Sequence, residues 1–151
     1  RGNPEMLSLT GEIRETTSAL GIKEPVAEGG EVAVRMDRDR LRSVVENIVR
    51  NALEAGGPPE EVGVSVRLRD GRAEISIVDR GSGIAAGDEA RIFEPFFTTK
   101  SRGTGVGLAI SLRFIQAAGG TISVSRREGG GTEVTVSLPE GRVKDENSDN
   151  R

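Results

Sequence analysis

Not one histidine occurs in the 151 residues of this chain, and cysteine, tryptophan and tyrosine are absent as well. Without imidazole there is no histidine general base, no histidine metal ligand and no phosphoacceptor histidine. Without cysteine there are no disulfides and no thiolate metal sites, which fits a reducing compartment. No apolar run approaches the roughly 20 residues that span a bilayer. Arg1 to Glu5 lack the charged-then-apolar pattern of a signal peptide. A formal charge of -3, with both signs interspersed, gives no reason to expect nucleic acid or an anionic membrane surface as a partner. Chemistry must therefore rest on Asn, Asp, Glu, Lys, Thr and backbone amides. What the chain has in plenty is glycine: 21 residues, many of them between positions 81 and 131. Backbone without Cβ atoms can approach a ligand closely.

The length suits one domain with a substantial core. Residues 4–20 are expected to form a helix, with Asn3 as its cap and Pro4 in its first turn. Glu31 to Met36 alternates around Val32, Val34 and Met36 and predicts a short strand, after which Asp37 reads as a helix cap. From Arg38 to Ala55 the apolar positions Leu41, Val44, Val45, Ile48, Val49, Ala52 and Leu53 fall on one helical face. Gly56-Gly57-Pro58-Pro59 ends that helix. A hairpin follows, with Val62, Val64, Val66 and Leu68 before the Asp70-Gly71 turn and Ala73, Ile75 and Ile77 after it.

Residues 79–105, irregular apart from a helical piece near 87–93, read as a functional loop or lid. A second helix is expected from Val106 to Ala118, stopping at Gly119-Gly120. A last hairpin joins 121–127 to 132–138 around Gly129-Gly130-Gly131, and the charged tail from Gly141 is expected to be disordered. The fold class is α+β: a two-layer sandwich of an antiparallel or mixed sheet with helices on one face.

Four segments carry chemistry. In Asn47-Ile48-Val49-Arg50-Asn51-Ala52 the asparagines are spaced i, i+4 and project from one side of a helix. A carboxamide oxygen there can ligate Mg²⁺ beside phosphate oxygens, and an exposed polar helix face explains the pair equally well. In Asp79-Arg80-Gly81-Ser82-Gly83-Ile84 a carboxylate at a strand end can accept from an exocyclic amine such as adenine N6, although an ordinary Asp-Gly turn has the same composition. Gly103-Thr104-Gly105-Val106-Gly107-Leu108 opens the second helix, where free amides attract anions. It is neither a Walker loop nor a dinucleotide fingerprint. Phe93-Glu94-Pro95-Phe96-Phe97-Thr98-Thr99-Lys100 holds three of the four phenylalanines, which fit both core packing and the anchoring of a loop whose Lys100 could then reach terminal phosphates. An ordinary surface lysine explains Lys100 equally well.

In this order the segments resemble the N-box, first glycine box, F-box and second glycine box of the GHKL superfamily, which includes DNA gyrase, heat-shock chaperone ATPases, mismatch-repair proteins and histidine kinases. The resemblance runs from about Asp37 to Pro139, and Gly130-Gly131-Thr132 is similar to the family's last glycine element. It implies a Bergerat-type ATP site in which Asp79 binds adenine with Thr132 in support. The resemblance further implies that Asn51 would hold Mg²⁺, with Asn47 beside it. Ala55, Gly81, Gly83, Ile84, Lys100, Gly103, Thr104, Gly105, Val106, Gly107 and Leu108 complete the expected ATP-binding set, and residues 94–105 form the lid. Asn47, Asn51 and Lys100 are the expected catalytic group.

The family's ATPases carry a water-activating Glu four residues before the magnesium-binding Asn; here that position is Asn47, and a carboxamide is no general base. Glu46 is adjacent, but one residue turns it about 100° around the helix. The wording of the boxes resembles nitrogen-regulation-type sensor kinases. The chain is therefore expected to be a cytoplasmic histidine-kinase catalytic domain over residues 1–140. Residues 1–4 are then the junction to an upstream, histidine-bearing dimerisation domain, and 141–151 the tail. That domain and a response-regulator receiver domain are the expected partners, and the chain alone should bind ATP without autophosphorylating. One departure is Glu54, where many histidine kinases carry a phosphate-binding Lys. An anti-sigma-factor serine kinase, a GHKL ATPase and a non-enzymatic scaffold remain alternatives.

Overall fold

The computed structural model describes residues 3–83 and 107–141. Their elements are β1 (Glu5–Ser8), α1 (Leu9–Ala19), β2 (Val26–Glu28), β3 (Ala33–Met36), α2 (Arg38–Glu54), β4 (Gly63–Arg69), β5 (Arg72–Asp79), α3 (Gly107–Ala117), β6 (Thr121–Arg126) and β7 (Thr132–Pro139), with a single 3₁₀ turn at Pro59–Glu61. Five strands form a mixed sheet in the order β2-β4-β5-β7-β6, and β1 pairs with β3 in a separate two-stranded ribbon. The expected α+β sandwich is therefore present, with the sheet of the mixed kind because β2 runs parallel to β4. The helical piece near 87–93, the phenylalanine segment and the tail beyond Gly141 lie outside the described residues.

Strand alternation builds the sandwich. Val66, Ile75, Val136 and Ile122 are direct neighbours across four strands, and all four are buried. The same face carries Val64, Ile77, Val134 and Val124 one rung along. Helix α2 packs against α1, α3 and β5, and its buried face is Leu41, Val44, Val45, Ile48, Val49 and Ala52, as the helical spacing predicted. Leu53 is partly buried against the same core. On the other side of the sheet polar residues pair instead, as in the Ser65, Ser76, Thr135 and Ser123 row.

The N-terminal helix differs from expectation. Glu5–Ser8 is a strand, paired with Ala33–Met36, and the helix begins only at Leu9. Ser8, not Asn3, is its cap, accepting from the Gly11 amide at 3.2 Å. Pairing with β3 supplies partners for backbone groups that a longer helix would have satisfied internally. At the other end Gly141 still belongs to the fold, since its amide donates to the Ala33 carbonyl at 2.8 Å.

Asp37 caps α2 as predicted. One carboxylate oxygen accepts from the Arg40 amide at 3.0 Å and the other from the Asn3 amide at 2.7 Å. These backbone donors, Asn3 first, hold its pKa below the ordinary aspartate range. A lowered folded-state pKa stabilises the fold fully above about pH 4 and loses that contribution as pH falls through it. Asp37→Asn should therefore melt below wild type at neutral pH, with the gap closing in acid. Melting curves across pH check this, and a gap that ignores pH would contradict it.

Candidate functional site

The register of β5 with β7 sets Asp79 directly opposite Thr132, at the rung where the apolar face of the sheet ends. Asp79 is only 5% exposed and Thr132 8%. Asp79 stands two residues past Ile77 and so points to the helix-covered face, as strand alternation requires. One carboxylate oxygen accepts from the Gly81 amide at 2.8 Å. A carboxylate can accept several further hydrogen bonds, so that contact does not exhaust it.

Three glycine-bearing segments close around this pair. They are the end of α2 at Ala55-Gly56-Gly57, the turn after β5 at Gly81-Ser82-Gly83, and the β6–β7 turn at Gly129-Gly130-Gly131. The Ser82 amide donates to the Ala55 carbonyl at 2.9 Å. A Cβ at Gly81 would collide with the Cβ and carbonyl of Ala55. One at Gly131 would strike the Asp79 carbonyl oxygen, and Gly131 also sits at φ 105. Here glycine is a steric necessity of backbone packed on backbone.

The asparagines occupy the facing stripe of α2. Asn47, Asn51 and Ala55 follow one another at four-residue steps, and all three are half-buried. Asn47 donates through Nδ2 to the Gly107 carbonyl and to Ser111 Oγ, both at 3.3 Å. Its carboxamide also lies against the Gly107 Cα, where an added Cβ would sit 3.4 Å away. Asn47 thus fastens the start of α3 to α2, a contact the reading of Asn47 as a neighbour of Asn51 did not anticipate. Leu108, the next residue of α3, is partly buried against the core. The stripe therefore runs from the α3 junction at Asn47 to the Asp79 cradle at Ala55. Eight residues of helix span about 12 Å.

Of the expected site residues, Asn47, Asn51, Ala55, Asp79, Gly81, Gly83, Gly107 and Thr132 line this one stripe and cradle. Ile84, Lys100, Gly103, Thr104, Gly105 and Val106 lie outside the described residues. Glu54 is exposed at the end of α2. Sequence reasoning missed Gly57, whose Cβ would collide with the Arg80 carbonyl, and Ser111. Ser111 was findable: it lies four residues after Gly107 on the same helix. It also missed two arginines. Arg80 Nη1 donates to the Glu128 and Gly130 carbonyls, each at 2.6 Å, and Arg127 Nη1 donates to the Asp79 carbonyl at 2.9 Å. Among the described residues no three His, Cys, Asp or Glu side chains gather to hold a metal. No described helix is long and apolar enough to cross a membrane.

Comparison with known proteins bears on this geometry. A family model described as "Histidine kinase-, DNA gyrase B-, and HSP90-like ATPase" matches residues 36–142. The sensor histidine kinase ZraS of Escherichia coli K12 is 41% identical over 106 residues, covering 70% of this chain and 23% of that protein. The chain thus spans roughly a quarter of the length of such curated relatives. The solved catalytic domain of histidine kinase ThkA superposes with a TM-score of 0.81 at 28% identity, covering 91% of this chain and 96% of that one. Full-length ShkA, solved in complex with AMPPNP, superposes at 0.77 and 27% identity over 96% of this chain and 33% of its own.

Proposed function

Because the chain belongs to the family of histidine kinase-, DNA gyrase B- and HSP90-like ATPases, we propose that it binds ATP with Mg²⁺ and transfers the γ-phosphoryl group to a histidine on a separate dimerisation domain. The observation that carries this is the buried Asp79–Thr132 pair inside a glycine cradle, joined by one helical stripe to Asn51 and Asn47. A flat base fits the cradle because backbone lines it, and the Asp79 carboxylate accepts from the amine of adenine. The polyphosphate then runs along α2 toward the Asn47–Gly107 junction.

The donor set suits magnesium. Asn51 offers a hard, neutral carboxamide oxygen that would hold Mg²⁺, an ion that needs few protein ligands when phosphates and water are at hand. Bound there, the ion would neutralise charge on the phosphates. The chain's own residues position the nucleotide and exclude alternative geometries. The histidine nitrogen of the partner domain attacks the γ-phosphorus, the bond to the β,γ-bridging oxygen breaks, and ADP leaves. Such transfer depends on positioning and electrostatics more than on acid–base groups. Asn47 fits transfer better than hydrolysis, because its amide nitrogen is engaged with α3 and no carboxylate stands at that position to activate water. We place the activity in the cytoplasm, in two-component signalling, with a response-regulator receiver domain as the next acceptor.

Mixing the chain, ATP and Mg²⁺ with a histidine-bearing dimerisation domain tests this. Labelled phosphate should appear on that domain and none on the chain incubated alone. Steady phosphate release by the chain alone would instead indicate an ATPase.

A further inference from the structure

Two arginines reach in opposite directions across the gap between the end of β5 and the β6–β7 turn. Nη1 of Arg80 carries two hydrogens, and it donates one each to the Glu128 and Gly130 carbonyls, both at 2.6 Å. Arg127, at the far side of that turn, sends Nη1 back to the Asp79 carbonyl at 2.9 Å. Between them the turn is closed by its own backbone, Arg127 amide to Gly131 carbonyl at 3.0 Å and Gly130 amide to Arg127 carbonyl at 3.1 Å. Gly129, Gly130 and Gly131 all have positive φ (86, 106 and 105). Three consecutive glycines lose more conformational freedom on ordering than any other run. A turn of that composition needs outside bonds to hold one shape, and charged donors to carbonyls are among the strongest available.

We propose that Arg80 and Arg127 form a reciprocal latch that seats the glycine turn against Asp79 and so fixes the width of the base-binding end of the site. Both arginines are positioning residues: neither need touch nucleotide. The latch acts through Gly131, packed on the Asp79 carbonyl, and Thr132, the rung partner of Asp79. Releasing the turn lets Thr132 and its backbone drift from the carboxylate, which loosens the grip on the base and leaves the Asn47–Asn51 end of the stripe unchanged. This inference rests on the nucleotide-binding reading above.

The test is calorimetric titration of ATP and of adenosine into wild type, Arg80→Ala, Arg80→Lys and Arg127→Ala, with melting curves for each. Arg80→Ala should weaken both ligands by the same factor, roughly three- to tenfold for a lost partly exposed charged contact. Arg80→Lys, which keeps the charge and reaches one carbonyl at a time, should fall between Arg80→Ala and wild type. In phosphoryl transfer to the histidine-bearing domain the KM for ATP should rise by that factor with kcat unchanged. If Arg80→Ala does not fold, Arg127→Ala and Arg80→Lys report the same loss of adenosine affinity. Adenosine affinity within twofold of wild type in folded variants overturns the latch alone, as does a loss confined to ATP. Failure of wild type to bind either ligand overturns the nucleotide reading, and the latch with it.

Discussion

Replacing Asp79 with Asn should raise the dissociation constant for ATP by roughly 10- to 100-fold in a chain that remains folded. The fold tolerates the change because an Asn Oδ1 can still accept from the Gly81 amide, the bond that Asp79 makes now at 2.8 Å. What it loses is the second, charged acceptor. A charge-assisted hydrogen bond contributes about 1.5–3 kcal/mol, and each 1.4 kcal/mol is about tenfold in affinity. The carboxamide also tends to turn its own NH₂ donors toward the purine amine, donor against donor. At 5% exposure the Asp79 side chain is largely shielded from bulk solvent. Titration beside a melting curve checks this; an affinity within threefold of wild type in a folded Asp79→Asn would show that the carboxylate does not recognise the base.

The second large effect is on the fold. Gly131→Ala adds a Cβ into the Asp79 carbonyl oxygen and 2.9 Å from the Arg80 Cα, at a φ of 105 that an alanine rarely adopts. Both neighbours are backbone, so neither can rotate away. Strain of about 1–3 kcal/mol and overpacking of about 1–3 kcal/mol then add to roughly 2–6 kcal/mol, a large share of a small domain's stability. Gly130→Ala provides the control, since its φ of 106 is equally strained but nothing lies within 4 Å of the added atom. Urea unfolding should rank Gly131→Ala well below Gly130→Ala. Equal costs would mean that the turn moves freely and is not seated on Asp79.

The parts of the fold legible in the sequence are those where one residue pattern has one solution. Helix α2 was readable from Asp37 through Gly57 because its cap, apolar face and terminator all agree. The two hairpins were readable because alternation on both arms meets at Asp70-Gly71 and Gly129–Gly131, and Asp79 follows Ile75 and Ile77 in the same alternation. Short segments decided by distant partners were not. Met6 and Leu7 suit a helix or a strand equally; pairing of Leu7 with Val34 settles it. Strand β2 carries no signal at all, since Val26, Ala27 and Glu28 are exposed and the strand exists through its backbone pairing with β4.

The site divides the same way. That Asp79 and Thr132 belong together was implied by the boxes, and their rung pairing brings them together. Where a long side chain ends was not legible. Nothing local to Arg80 names the carbonyls of Glu128 and Gly130, and nothing local to Asn47 names Ser111. Each destination exists only after the sheet register and the α2–α3 packing are in place.

Everything proposed for catalysis presupposes that the cradle at Asp79 reads the amine of adenine. Calorimetric titration of this chain, in the presence of Mg²⁺, with ATP and with purine riboside triphosphate measures that directly, because the two ligands differ only in the exocyclic amine. ATP should bind at least about tenfold more tightly, the lower end of what a charge-assisted hydrogen bond supplies. Equal affinities would place the recognition elsewhere and contradict the assignment of Asp79.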